Sequence, residues 1–148
     1  MVTLLLLSGP NLNLLGDREP EIYGTTSLAD LVRAASDEAT AAGFDLEHVQ
    51  SNAEADLIDA IHSARKRCAS IIINPGAFTH YSYAIADALA AFEGPIVELH
   101  LSNTHRRETW RHTSVVSPVA TGVIMGFGAA GYPIAVRAAV AMVHAGSR

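Results

Sequence analysis

Two stretches of this 148-residue sequence carry side chains suited to moving protons. Glu98-Leu-His100 places a carboxylate and an imidazole two residues apart. On a strand such residues point to the same face, so Glu98 can orient one ring nitrogen of His100 and stabilise the imidazolium. That is a competent general acid; a buried Glu–His pair with only a structural role fits the same spacing. The other stretch runs from Gly9 to Thr26 and contains Arg18 and Tyr23 between Gly16 and Gly24, which can act as hinges of a lid. A phenol ionises near ~10 when unperturbed, and a close guanidinium favours the phenolate, which is a base. A surface arginine beside a tyrosine packed over a sheet edge is the ordinary alternative.

Binding groups are concentrated in the same way. His105, Arg106, Arg107, Arg111 and His112 face only Glu108 in their stretch, in a chain of net charge −5. Such a patch can grip a small anion, with arginine taking a carboxylate bidentately, although Glu108 can instead pair with Arg111 or His112 along a helical turn. Asn11 and Asn13 follow the turn at Gly9-Pro10, and Asn74 and His80 bracket Pro75-Gly76. Amide and imidazole groups of this kind suit ligand hydroxyls. Thr79 and His80 are placed to cap a following helix, on which His80, Tyr83 and Asp87 share one face.

Hydrophobic periodicity supplies the elements that must position these groups. Val2–Ser8 and Ala69–Asn74 are aliphatic runs typical of strands buried on both faces. Phe44–Gln50, Ile96–Leu101 and roughly Val119–Gly126 complete five strands. Helices are expected over Ser27–Ala42, from a Ser51…Glu54 capping box to about Arg67, over His80–Phe92 and over Ala130–Ala145. Strict alternation implies a parallel sheet with right-handed crossovers, and this length favours a flavodoxin-like three-layer α/β sandwich of order 2-1-3-4-5 in a single domain, 1–148. Two connections, Gly9–Thr26 and Ser102–Pro118, are longer than turns need to be. Both leave carboxyl ends of parallel strands, where open α/β sheets bind ligands. Asn11, Asn74 and His100 should therefore converge on one crevice.

Much else is excluded. One cysteine, Cys68, permits no disulfide framework or multi-thiolate metal site, and no apolar run reaches the length of a membrane span. The acidic balance argues against nucleic acid, and a soluble cytoplasmic protein is expected. Lys66 is the only lysine and sits between Arg65 and Arg67, which disfavours Schiff-base chemistry. Gly126-Phe-Gly-Ala-Ala-Gly131 matches G-x-G-x-x-G but follows the last strand, so it reads as a close approach of the last helix to the sheet. The histidines lack metal-ligand spacing. Twenty-five alanines and 17% charged residues suit helix faces that meet other subunits.

Taken together the polar segments resemble the type II 3-dehydroquinate dehydratases. The matching pieces are Leu7-Ser-Gly-Pro-Asn-Leu-Asn-Leu-Leu-Gly16, Arg18-Glu-Pro-Glu-Ile-Tyr-Gly24, Gln50-Ser-Asn52, Ile73-Asn-Pro-Gly-Ala77 with Thr79-His80, Glu98-Leu-His-Leu-Ser-Asn103, and Arg107-Glu108 with Arg111-His112. The likeness runs end to end. It implies a homo-oligomer of trimers, commonly four to a dodecamer, that converts 3-dehydroquinate to 3-dehydroshikimate with no metal or cofactor, in the shikimate pathway or in quinate breakdown. It implies Tyr23 as the base at C2, assisted by Arg18; an enolate stabilised through a water near Asn11; and His100, supported by Glu98, as the acid. Asn74, His80, Leu101, Ser102 and Arg111 match substrate-binding positions, Arg107 a further active-site arginine, and Asp87 a residue lent by the adjacent subunit. Tyr81, Tyr83, Phe78, Arg106 and Trp110 depart from the usual family pattern, at the expected rim and interface.

Overall fold

The computed structural model describes residues 1–146. Five parallel strands, β1 (Val2–Ser8), β2 (Phe44–Gln50), β3 (Cys68–Asn74), β4 (Ile96–His100) and β5 (Gly122–Met125), form one sheet in the order β2-β1-β3-β4-β5. This is the flavodoxin-like order expected from the alternation of elements. The helices are a one-turn α1 (Pro20–Tyr23), α2 (Leu28–Ala41), α3 (Glu54–Ala64), α4 (Tyr83–Ala90) and α5 (Gly131–His144).

Strand periodicity divides the core in two. Leu4 and Leu6 of β1 face α2 and α5, joining Leu31, Ala35, Ala39, Tyr132, Ala135 and Ala139. Leu5 and Leu7 face α3 and α4, joining Leu57, Ile61, Ile85 and Leu89. Small alanines at helical spacing let the helices lie close to the sheet. Gly131 does the same at the start of α5, where a Cβ would stand 3.2 Å from Leu99 Cδ1. The glycine motif thus serves packing, as its position after the last strand implies. No helix among the described residues is long and apolar enough to cross a membrane.

Two helix starts and one helix end differ from the sequence expectation. The Ser51…Glu54 capping box does not form: Ser51 Oγ accepts from Ala53 N and donates to Asp56, while Glu54 accepts from Ser82 Oγ. The helix it opens ends at Ala64, not near Arg67, because Arg67 turns away to a bidentate pair with Glu47. Gly76–His80 is a 3-10 segment, and α4 begins later, capped by Ser82 Oγ accepting from Ile85 N. Thr79 and His80 therefore do not cap α4, and His80 does not share a helix face with Tyr83 and Asp87. The first long connection carries the short α1, which periodicity could not show.

The tips of β1 and β3 are held together at a point that only glycine permits. Gly9 N donates to Asn74 O at 2.8 Å, and a Cβ on Gly9 would lie 2.3 Å from Pro75 O. The clashing atom is backbone, so the tips must part to relieve it. Gly9→Ala should cost about 2–3 kcal/mol, the upper range for overpacking, whereas Gly122→Ala, which meets nothing within 4 Å, should cost under about 1 kcal/mol. Denaturant unfolding of the two variants measures the difference; equal costs would contradict the close approach.

Candidate active site

The carboxyl ends of β1, β3 and β4 open into one cleft lined by Asn11, Arg18, Tyr23, Asn74, His80, His100, Leu101, Ser102, Arg107 and Arg111 with Pro10, Leu12, Gly76, Ala77 and Thr104. The convergence expected of Asn11, Asn74 and His100 is present. Both long connections contribute, as their lengths implied.

One side of the cleft is built on β4. Glu98 is fully buried, and its Oε2 accepts from His100 Nε2 at 2.5 Å and Thr79 Oγ1 at 2.8 Å. Ser114 Oγ lies 3.0 Å from Oε2 and Ser117 Oγ donates to Oε1 at 2.5 Å. Burial pushes the Glu98 pKa up, but the hydrogen bond and charge of His100, with the bonds from Ser117 and Thr79, outweigh it and hold the carboxyl below its ordinary range. With Nε2 tied to this carboxylate, the other ring nitrogen of His100, Nδ1, remains for chemistry. The hydroxyls of Thr79, Ser114 and Ser117 were not legible in the sequence, since nothing local connects residues 16–19 positions away from Glu98.

The other side rests on the segment Arg18–Tyr23. Arg18 and Arg107 each place a guanidinium carbon 5.0 Å from the Tyr23 ring centroid, so the half-buried phenol lies between two cations. Arg18 also makes a 3.7 Å contact with Glu19. Arg107 Nη1 reaches Ser102 Oγ at 3.4 Å, while its buried Nε has no hydrogen-bond partner among the described residues. A buried cationic donor left unpaired favours an acceptor arriving from outside. Asn11 adopts a left-handed φ of 68°, with its N–H donating to Asn52 Oδ1, a conformation asparagine tolerates better than most residues.

Around the rim, His80 Nδ1 donates to Thr113 O at 2.8 Å. Burial lowers the His80 pKa against the pull of that carbonyl, leaving a neutral ring with Nε2 as an acceptor. Arg111 pairs with Glu108 at 2.7 Å and stacks over exposed Trp110, which meets the His80 ring edge-on. Glu108 is thus engaged as an i,i+3 partner, yet Arg111 still lines the cleft. Arg106 and His105 do not line it, His105 lining instead an adjoining cavity with Glu98, His100 and His112, and Asn13 lies on another surface beside His48. Asp87 is exposed on α4 and does not line this chain's own cleft. Phe78 is buried, whereas Tyr81 and Tyr83 are exposed. No group of His, Cys, Asp and Glu among the described residues is arranged to hold a metal ion.

A family model described as dehydroquinase class II matches residues 2–140. The chain belongs to that family. It is 58% identical over 140 residues to a 3-dehydroquinate dehydratase of Cellvibrio japonicus, covering 94% of this chain and 95% of the relative. It is 57% identical to 3-dehydroquinate dehydratase 2 of Pseudomonas putida, with 89% of each chain covered. Among solved structures, the type II dehydroquinase of Propionibacterium acnes superposes with a TM-score of 0.91 at 42% identity, covering 95% of this chain and 97% of that one. Class II dehydroquinase membership thus joins the flavodoxin-like fold to a cleft with a carboxylate–imidazole pair on one side and an arginine-flanked tyrosine on the other.

The lowered carboxyl of Glu98 sets an acid limit on stability. A carboxyl depressed by folding stabilises the native state fully above its ordinary value of 4.5 and loses that contribution as pH falls towards the lower native value. Acid unfolding of the wild type should steepen below about pH 4.5, and Glu98→Gln should flatten that limb while lowering stability at neutral pH. A Glu98→Gln curve parallel to wild type throughout the acid range would show that Glu98 contributes nothing to it.

Proposed function

We propose that the chain works as the 3-dehydroquinate dehydratase its family membership makes it, by an anti elimination through an enolate, with Tyr23 as base and His100 as acid. The observation that carries this reading is the meeting, in one cleft, of a phenol clasped by Arg18 and Arg107 and an imidazole propped by Glu98. A phenol flanked by two guanidinium groups and an imidazole held by a carboxylate are groups suited to serve as base and acid.

The steps follow from the substrate's chemistry. The Tyr23 oxygen removes a proton from C2, next to the ketone, and the electron pair moves to the carbonyl oxygen as an enolate. Arg18 and Arg107 stabilise the anionic phenol, which is needed before the proton is taken, and Asn11 holds a water against the enolate oxygen. The enolate then re-forms the ketone and expels the C1 hydroxyl, which leaves as water on taking a proton from His100. Glu98 holds His100 in orientation and supports its positive charge. Products are 3-dehydroshikimate and one water, and the two protons exchanged restore the starting charges once Tyr23 and His100 equilibrate with solvent.

Arg107 and Arg111 bind the carboxylate and neighbouring oxygens, while Asn74, His80 and the backbone at Leu101 and Ser102 take the hydroxyls. Supporting this, the residues lining the cleft include three arginines and no Asp or Glu, in a chain of net charge −5. Lys66 precedes β3, at the opposite end of the sheet from the cleft, so no lysine is within reach for an imine. Asp87 completes the site of a neighbouring subunit within a trimer, and four trimers form the dodecamer. The exposed Tyr81, Tyr83 and Trp110 suit contacts at that junction. The reaction belongs to the shikimate pathway, and the whole chain acts as one catalytic domain in the cytoplasm.

Tyr23→Phe and His100→Ala should each reduce turnover of 3-dehydroquinate by at least about a hundredfold, the usual scale for a lost general base or acid. Ultraviolet absorbance of the conjugated product follows the rate, and sizing confirms assembly. A variant turning over near the wild-type rate would remove its residue from the mechanism. Turnover should also be unchanged by EDTA, and by borohydride added with substrate; inhibition by the first points to a metal, by the second to an imine.

A further inference from the structure

Tyr132 heads the side chains sealed in the core, 1% exposed, and it is a tyrosine where phenylalanine fills nearly the same space. Burying its hydroxyl is costly unless that group is bonded. Asn74 Nδ2 donates to Tyr132 Oη at 3.1 Å, and Ser8 bonds the same oxygen. Ser8 Oγ in turn lies 2.9 Å from His48 Nε2. Burial pushes the Tyr132 phenol up to about 12 and the His48 ring below its ordinary value, so both are neutral under ordinary conditions.

The orientation of the Asn74 amide in this chain is set by its two bonds, to Gly76 and to Tyr132. Gly76 N donates to Asn74 Oδ1 at 3.2 Å. A backbone N–H can only donate, so Oδ1 must face Gly76 and Nδ2 must face Tyr132. Tyr132 Oη then accepts from Asn74 and is held in turn by Ser8, which also bonds His48 Nε2. Asn74 has two N–H donors and two acceptor lone pairs, and this network uses one of each. What remains is the face that Asn74, 3% exposed, turns to the cleft it lines. With the amide reversed, Gly76 N–H would meet an NH2 group.

We propose that Tyr132 is a positioning residue: it lies outside the cleft, but it holds the Asn74 amide in one orientation and so fixes which hydrogen-bonding groups meet a ligand hydroxyl. The proposal rests on the dehydratase reading, because 3-dehydroquinate supplies those hydroxyls. Steady-state kinetics of Tyr132→Phe, Asn74→Ala and the double variant test it, with Ser8→Ala as an independent route to the same amide. Tyr132→Phe should raise KM about tenfold, the scale of one neutral hydrogen bond, with kcat within about threefold of wild type. Asn74→Ala should raise KM at least as much, and the double variant should be no worse than Asn74→Ala alone. Ser8→Ala should give a smaller KM rise of the same kind.

An unchanged KM in Tyr132→Phe overturns the proposal, as does a Tyr132→Phe loss that multiplies that of Asn74→Ala. If Tyr132→Phe does not assemble, Ser8→Ala decides, and an unchanged KM there overturns it equally. Wild-type protein inactive on 3-dehydroquinate defeats the dehydratase reading, and the proposal with it; active wild type with unshifted variants defeats only the positioning role.

Discussion

The constraint on which the site depends is a carboxylate with no solvent access in the middle of a parallel sheet. Glu98 occupies a strand position where aliphatic residues otherwise stand, between Val97 and Leu99 in β4. A lone ionised carboxylate there would carry a desolvation penalty of several kcal/mol, and partners must offset it. They come from far along the chain: His100 from the same strand, Thr79 from the segment after β3, and Ser114 and Ser117 from the long loop after β4. One buried charge therefore orders three segments around the strand tips. Ser114 adds to this by accepting from Val116 N and Ser117 N, which folds the loop back on itself. The same bonds that make burial tolerable orient the imidazole at the cleft.

The cleft stands where the two faces of the sheet meet at its carboxyl edge. Glu98 and His100 share the parity of Ile96 and fall on the α3–α4 side, with Thr79. Asn74 and Ser8 share the parity of Ile72 and Leu6 and fall on the α2–α5 side, with Tyr132. Groups from both hydrophobic layers thus support a single site. Each layer fixes its polar residue through one buried anchor, a carboxylate on one side and a phenol on the other. Neither anchor needs to touch a ligand to matter, because rotation of an imidazole or reversal of an amide changes what the cleft presents.

What the sequence made legible follows from locality. The strand run Val2–Ser8 announces itself by aliphatic content and Phe44–Gln50 by alternation, and two residues apart on β4 suffices to pair Glu98 with His100. Strand order followed from alternation, and with it the convergence of Asn11, Asn74 and His100. Helix starts were less legible, because Ser51, Glu54 and Thr79 had better partners elsewhere: Glu54 bonds Ser82 and Thr79 bonds Glu98, both contacts between distant segments. The second guanidinium on Tyr23 escaped for the same reason. Arg107 is 84 positions from Tyr23, and only the closing of both long connections over one cleft brings them together.

The two sides of the site are anchored very unequally. His100 belongs to a strand buried along its whole length. Tyr23 closes a four-residue helix with no buried residue, entered through a left-handed Glu19 (φ 40°) and left through Gly24 (φ 83°). That segment has little core of its own, and it is tied down through Tyr23, which packs against the α2–α5 layer and meets Arg18 and Arg107. Elements with few buried contacts open at low free-energy cost. Tyr23, carried on such a segment, can move aside to admit a ligand while His100 stays fixed. The clasp also couples closing to charge: as the two long connections close, both guanidinium groups gather at the Tyr23 ring.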